Sequence, residues 1–271
     1  MPAEYIALGV WQVAAAASLI VLSAVISLLL QLGLERRLLL AAARTVVQLM
    51  LLGLVLKWIF QHGQWYFVVG LMATMTVVAG WAAVRRVDRR YAGLLLDSLL
   101  AIWVSSWCVT AVAIFGVVQV PAHGHPWYQP QYAIPLLGMI LHNTLNGISL
   151  GMDRFSSELA GKRVEVETLL ALGATRWEAA RGPMQEAVRT GMIPVINSMM
   201  VIGIVSIPGM MTGQLLAGVA PHQAGMYQMV IMFLIAAGTS LGTVAAVLLG
   251  YRRLFTPDHR FLPGRLAERA G

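Results

Sequence analysis

The sequence contains little charge and almost no cysteine. Only 11% of its 271 residues are charged and 58% are hydrophobic, whereas soluble domains carry about 25% charged and about 45–50% apolar residues. This composition excludes an ordinary soluble enzyme and predicts an integral membrane protein embedded in a lipid bilayer. Cys108 is the one cysteine, so no internal disulfide or thiolate cluster can form. We predict that Cys108 is a small core residue.

Sequence signatures of several enzyme classes are also missing. Gly161-Lys162 is followed by Arg163 and lacks the upstream glycine of a phosphate-binding loop. Neither a His-Glu-x2-His zinc motif nor a nucleophile elbow occurs. Proton-driven carriers are expected to place carboxylates within the membrane, but Asp97 is the one acidic residue near that depth. We therefore predict a chain that is not an enzyme and that takes its energy from another polypeptide.

Long uncharged runs dominate what is present. Each is long enough to cross about 30 Å of hydrocarbon, which takes about 20 residues of helix. No Lys or Arg precedes Arg36, so we expect no cleaved signal peptide, and residues 5–34 should be retained as the first span. The prediction is an all-α polytopic protein forming one membrane domain over residues 1–271. Its seven predicted spans are residues 8–32, 38–60, 65–84, 94–118, 132–152, 190–216 and 226–250.

The positive charge follows this division into spans. All of the 19 Lys and Arg except Arg44 and Lys57 fall in the odd-numbered loops or in the basic tail 251–271, and the even-numbered loops have none. Basic loops stay in the cytoplasm, so the N-terminus should lie outside and the tail inside. The net charge of +7 therefore indicates orientation in a plasma (inner) membrane rather than binding to nucleic acid.

Two basic residues lie inside the second span. Lys57 is close enough to the span end to extend its ammonium to the interface, and the same applies to Arg44. Alternatively, Arg44 and Gln48, one helical turn apart, face a polar path. In that case Asp97 is a candidate partner for Arg44, although a carboxylate at a helix N-terminus is stabilised without any partner.

The cytoplasmic loop 153–189 is too charged to span the membrane and carries clear helix signals. A first helix should end near Leu172, with Gly173 as its stop. Thr175 and Glu178 form a predicted capping box for a second, short helix that contains Trp177, and Pro183 should end or kink it. The alternative is an amphipathic helix that lies on the membrane surface without a partner.

Polar residues in the fifth predicted span share a helix face: His142, Asn146, Ser149 and Asp153, with Asn143 at its edge. Such a stripe either lines a substrate path or joins helices by hydrogen bonds.

In the sixth predicted span, Pro194, Pro208 and Gly209 should interrupt the helix and free backbone carbonyls. Asn197, Met211 and Thr212 then fall on one side. The methionines here favour apolar gap filling over a soft-metal site. Histidines in the outer loops, at no diagnostic spacing, favour solvated side chains over a metal site; they are His62, His123, His125 and His222.

Several motifs resemble one transporter family. Glu167-Thr-Leu-Leu-Ala-Leu-Gly-Ala-Thr175 is similar to the EAA-type loop of ABC permeases, although Thr168 and Leu169 replace its two alanines. Segments 34–255 resemble the FetB (YbbM) permease family, most specifically in 137–150 and 193–218, with His142 where a small residue is expected.

The resemblance implies the permease subunit of an ABC transporter that works as a homodimer with a separate ATPase, which would hold ATP and Mg. It associates the family with iron export in bacteria and aluminium tolerance in plants. The residues it implies for ATPase coupling are Glu167, Leu172, Gly173, Ala174, Thr175, Arg176 and Trp177. The alternatives are an ATPase-independent channel or carrier, a permease for a nucleotide sugar or lipid, and a membrane-embedded assembly factor.

Overall fold

The computed structural model describes residues 9–268. The start of the predicted first span, including Tyr5, and Arg269 of the basic tail lie outside the described residues. Helices account for most of the described chain, which confirms the all-α class. The contacts divide the chain into two compact units. That residues 1–271 act as one permease domain stays a prediction.

The first unit holds two long apolar helices, α1 (Val10–Leu29) and α2 (Glu35–His62). A buried serine organises the turn between them, because the Ser27 hydroxyl donates to the Glu35 carboxylate at 3.1 Å and accepts the Leu34 amide at 3.0 Å. Gly63 ends α2 in the left-handed conformation, with φ of 60°.

The second unit is a bundle built around one helix. Its elements are α3 (Trp65–Arg85), α4 (Leu94–Ala111), α5 (Pro130–Gly161), α6 (Arg163–Ala171), α7 (Arg176–Val201), α8 (Gly209–Leu216, with Leu216 assigned to the first unit) and α9 (Pro221–Leu254). A π-helical segment, Val112–Val117, extends α4. Two short antiparallel strands, β1 (Arg89–Arg90) and β2 (Ala267–Glu268), pair the turn after α3 with the tail.

Helix α5 lies at the centre and packs against α3, α4, α7 and α9. Its apolar face is fully buried and includes Leu137, Ile140, Ile148, Met152 and Phe155. Glycine allows the closest approach: a Cβ on Gly191 would lie 2.6 Å from the Gly147 carbonyl oxygen. The backbones of α5 and α7 are therefore in direct contact, which small residues permit in membrane bundles.

Six helical segments between residues 9 and 268 are long and apolar enough to cross a membrane, one fewer than predicted. The predicted span 190–216 is the exception, because α7 stops at Val201 and α8 starts at Gly209 after an irregular turn. Pro208 has no amide hydrogen and Gly203 adopts a φ of 80°, so neither favours a continuous helix here. The predicted orientation of the termini stays a prediction.

Two local predictions about this unit are wrong, those for Pro194 and Cys108. Pro194 does not interrupt its helix. Of the two outcomes predicted for Pro183, the helix end does not occur, since α7 continues through both prolines to Val201. Packing stabilises the helix across the lost hydrogen bonds: Ala179, Ala180 and Val195 are buried beside the prolines. Cys108 is exposed rather than in the core, because it lies on the outer face of α4.

Candidate functional site

The loop between α6 and α7 forms a tight turn that is closed by hydrogen bonds. Gly173, with φ of 93°, donates its amide to the Leu170 carbonyl at 3.1 Å, and Ala174 donates to Leu169 at 3.0 Å. These two bonds form a Schellman motif, in which a left-handed glycine satisfies the last carbonyls of a helix. The prediction that Gly173 stops the first helix is confirmed.

Helix α7 begins with the predicted capping box. The Glu178 amide donates to the Thr175 hydroxyl at 3.3 Å, and the Glu178 carboxylate accepts the Thr175 amide at 2.8 Å. It also accepts the Thr175 hydroxyl at 2.8 Å. Hydrogen bonds from the Thr175 backbone and then its hydroxyl lower the pKa of the Glu178 carboxyl. The capping box is confirmed, but the prediction of a short helix is wrong, because α7 continues for 26 residues.

The turn presents apolar side chains outward. Leu172 is 80% exposed at its tip and Trp177 is 50% exposed in the first turn of α7. Val166, Ala179 and Ala180 face inward and are buried. Exposed large apolar side chains on a structured turn are typical of protein contact sites.

An aromatic platform supports the turn from within the same unit. The Trp177 ring meets the buried Tyr251 ring of α9 edge-on, with centroids 5.7 Å apart, and the Arg176 guanidinium lies 5.7 Å from the Tyr251 centroid. The Arg176 amide donates to Nδ1 of His259 at 3.0 Å. Sequence reasoning missed Tyr251 and His259, since no local pattern relates them to residues about 80 positions earlier.

Glu167, the first residue of the predicted coupling set, is exposed on α6. Its carboxylate binds the Arg163 guanidinium at 2.8 Å, one helical turn earlier. Exposed pairs of this type contribute little stability. Glu167 therefore remains accessible for another contact.

The polar stripe of α5 joins several groups. Oδ1 of Asn146 accepts Arg86 at 2.5 Å, and its Nδ2 lies 3.3 Å from Nε2 of His142. Further along the helix, Oδ1 of Asp153 accepts the Asp88 amide at 2.9 Å. The stripe thus binds the turn after α3, and a path role for its residues stays a prediction. Asn143 donates to the Met139 carbonyl of its own helix.

The other predicted path residues are dispersed. Asn197 is exposed on α7, and the Thr212 hydroxyl donates to the Pro208 carbonyl at 3.1 Å. Met211 lines a cavity of about 360 Å³ between α7, α8 and α9. Arg44 and Gln48 are both exposed on α2 of the first unit. A path role for these residues stays a prediction.

Asp97, considered above as a partner for Arg44, binds two other groups. Its buried carboxylate lies 3.2 Å from Nη2 of Arg253 and accepts the Tyr91 hydroxyl at 3.0 Å. A favourable position at a helix N-terminus is therefore only part of the explanation, because Arg253, 156 residues later in the sequence, pairs with the carboxylate. Asp97 ties the start of α4 to the end of α9.

No group of three or more His, Cys, Asp or Glu that could hold a metal ion occurs among residues 9–268. Of the histidines in the loops predicted to lie outside, His222 lines the cavity with Met211, and His123 contacts the Gln119 carbonyl at 3.0 Å.

The six long apolar helical segments found between residues 9 and 268 define a multi-pass, all-α membrane protein. Residues 10–255 match the family described as Uncharacterised protein family (UPF0014), and the chain belongs to that family. No solved structure matches.

Relatives come from bacteria and plants. A UPF0014 membrane protein of Synechocystis is 38% identical over 85% of this chain and 88% of its own length. The probable iron export permease protein FetB of Escherichia coli is 29% identical over 94% of this chain and 96% of its own. Protein ALUMINUM SENSITIVE 3 of Arabidopsis thaliana is 27% identical over 93% and 89%. The resemblance to the FetB permease family described from the sequence is thereby confirmed.

Proposed function

We propose that this chain is the permease subunit of an ABC transporter that exports metal ions, iron among them. A separate ATPase subunit, holding ATP and Mg, would drive a homodimer of this chain. The observation that carries the proposal is the turn with Leu172 exposed at its tip and capped helices on both sides. The similarity to the Escherichia coli relative, named a probable iron export permease, supports the substrate.

The structure suggests how the turn would transmit movement. Helix α7 continues for 26 residues from Arg176, or about 39 Å at 1.5 Å per residue. A partner that pulls on Leu172 and Trp177 would move one end of a rigid element whose other end borders the cavity lined by Met199. Coupling would then be a shift between two packing arrangements of α5, α7 and α9.

In the same proposal, polar and thioether groups on α5, α7 and α8 of the second unit line a substrate path, and the polar groups on α2 of the first unit are path candidates by themselves. Hydrogen-bonding side chains within membrane spans mark functional paths because isolated polar groups are costly there. The proposed path residues are Arg44, Gln48, His142, Asn143, Asn146, Asn197, Met211 and Thr212.

The decisive experiment reconstitutes the full chain with its candidate ATPase in liposomes and measures ATP hydrolysis and iron transport. Leu172→Asp should weaken the complex, because a charge at a buried apolar anchor typically costs 2 kcal/mol or more, about 30-fold in affinity. Val164→Asp is the matched control, since Val164 is similarly exposed on α6 but lies outside the predicted contact.

Two results would overturn the proposal. If Leu172→Asp and Val164→Asp retain equal ATPase binding and transport, the turn is not the contact. If iron crosses the membrane at the full rate without any ATPase, the chain is a channel or carrier instead.

A further inference from the structure

A cavity of about 360 Å³ lies between the end of α7, the turn at 202–208, α8 and α9. Most of its lining is apolar, but the groups that face it are chemically unusual for a membrane protein. Three elements contribute thioethers or an imidazole: Met199, Met211, His222, Met226, Met229 and Met232.

The α9 members share one face. His222, Met226 and Met229 follow each other at spacings of four and three residues, which places them in a line along a helix. Met226 and Met229 are 52% and 54% exposed, whereas Met232 is buried. The cavity lining therefore includes both exposed and buried methionines.

The side chain of Gln228, which also lines the cavity, has an oxygen without a hydrogen-bond donor. Gln228 is only 7% exposed, and its Oε1 has no hydrogen-bond partner. The residue lines this cavity and an adjoining one of about 270 Å³. A buried acceptor without a partner is costly, so an occupant with positive charge would be favoured beside it.

The lining chemistry selects the kind of cation. The residues that line the cavity include no Asp, Glu or Cys, so no negative charge is available to offset a divalent or trivalent ion. Thioethers and imidazole bind soft ions such as Cu(I), whereas iron(III) and aluminium prefer oxygen. A monovalent ion also has the smallest desolvation cost in an apolar surrounding.

We infer that this cavity binds a soft monovalent cation, Cu(I) or Ag(I), through methionine thioethers and His222. This site shares Met211 with the path proposed above, but its thioether chemistry differs from that of an iron site. It does not depend on the proposed ATPase coupling. Methionine as simple gap filler predicts no metal affinity, so the two interpretations separate in a binding experiment.

The experiment measures Ag(I) bound per chain by equilibrium dialysis of the full-length, tag-free protein in chloride-free buffer. The test variant is Met229→Leu with Met232→Leu, which removes two sulfurs at nearly constant volume. Mutating residues that only orient the metal-ligating side chains typically lowers metal affinity by about 10- to 100-fold. We expect the loss of two ligating sulfurs to weaken Ag(I) binding by at least about 100-fold.

The matched control is Met72→Leu with Met152→Leu, since both of these methionines are buried in the same unit but do not line the cavity. It should bind Ag(I) like the unaltered chain. Equal affinity in all three proteins, or no binding to the unaltered chain, would overturn the inference. In either case the ATPase and iron assays above remain a separate test of the proposed function.

A second measurement uses only the unaltered chain, so it tests the site even if the methionine variants fail to fold. Peroxide converts accessible methionine to its sulfoxide, and a sulfur bound to metal should be protected. Mass spectrometry should show that Ag(I) slows oxidation of Met226 and Met229 but not of Met50, which is exposed on α2. If Ag(I) leaves the oxidation rates of Met226 and Met229 unchanged, as it should leave that of Met50, the site is contradicted.

Discussion

At the scale of single residues, the turn at 173–178 depends on short-range chemistry. Gly173 takes a left-handed conformation, and Thr175 and Glu178 satisfy each other's backbone amides. Every one of these interactions lies within six residues, so the pattern of residue types predicts the geometry.

Replacing the cap residue should loosen α7. Thr175→Ala removes the hydroxyl that accepts the Glu178 amide, and loss of an N-cap costs about 1 kcal/mol. The free energy of unfolding in detergent, from denaturant titration, should fall by that amount. Thr168→Ala is the control, because the Thr168 hydroxyl only binds the Val164 carbonyl within α6. Equal loss in both variants would contradict a capping role.

The same box should make stability depend on pH. The pKa of Glu178 is lowered in the folded chain, so the ionised carboxylate stabilises the fold above its unfolded pKa of about 4.3. That contribution should disappear as the pH falls through the lower, folded pKa. We expect the stability difference between the unaltered chain and Glu178→Gln to shrink between about pH 6 and about pH 3. A constant difference over this range would show that the charge is irrelevant.

At the scale of elements, α5, α7 and α9 form the closest-packed part of the second unit. A Cβ on Gly147 would lie 2.6 Å from side-chain atoms of Thr239 and Thr243 and 3.2 Å from the Gly191 carbonyl oxygen. Which helix each glycine meets is decided by the packing of the bundle.

Adding one methyl group at this contact should be enough to disturb it. Gly147→Ala is expected to destabilise the bundle by about 1–3 kcal/mol through overpacking. Gly182→Ala in α7 has free space around the new Cβ and should be neutral or slightly stabilising. Thermal unfolding of the two purified variants measures the difference, and similar melting temperatures would contradict the close approach.

At the scale of the whole molecule, contacts between residues far apart in sequence hold together one end of the second unit. This end is the one predicted to lie in the cytoplasm. Asp97 binds Arg253, Tyr251 supports Trp177 and Arg176, and His259 accepts the Arg176 amide. The start of α4, the end of α9 and the tail are thus held together beneath the exposed turn.

A double-mutant cycle tests the longest of these links. Asp97→Ala and Arg253→Ala should each destabilise the chain, and the double variant should lose less than their sum. Coupling between residues in contact is typically about 0.5–3 kcal/mol, and the half-exposed Arg253 places the expected value at the low end. Pairing Asp97→Ala with Arg189→Ala, whose partner is Glu186, should give additive effects. Additivity in both cycles would show that the Asp97 contact contributes no stability.

The sequence by itself determined the membrane class, most span positions and the capped turn. These depend on composition, on the length of apolar runs and on interactions within one helical turn. Only the tertiary structure decided that Asp97 binds Arg253, that the predicted span 190–216 divides at 202–208, and that Tyr251 and His259 support the turn. The tertiary structure also places methionines from three helices around one cavity. The physical reason is that each of these features depends on contacts between residues far apart in the chain, or on packing that outweighs local signals such as Pro183 and Pro194.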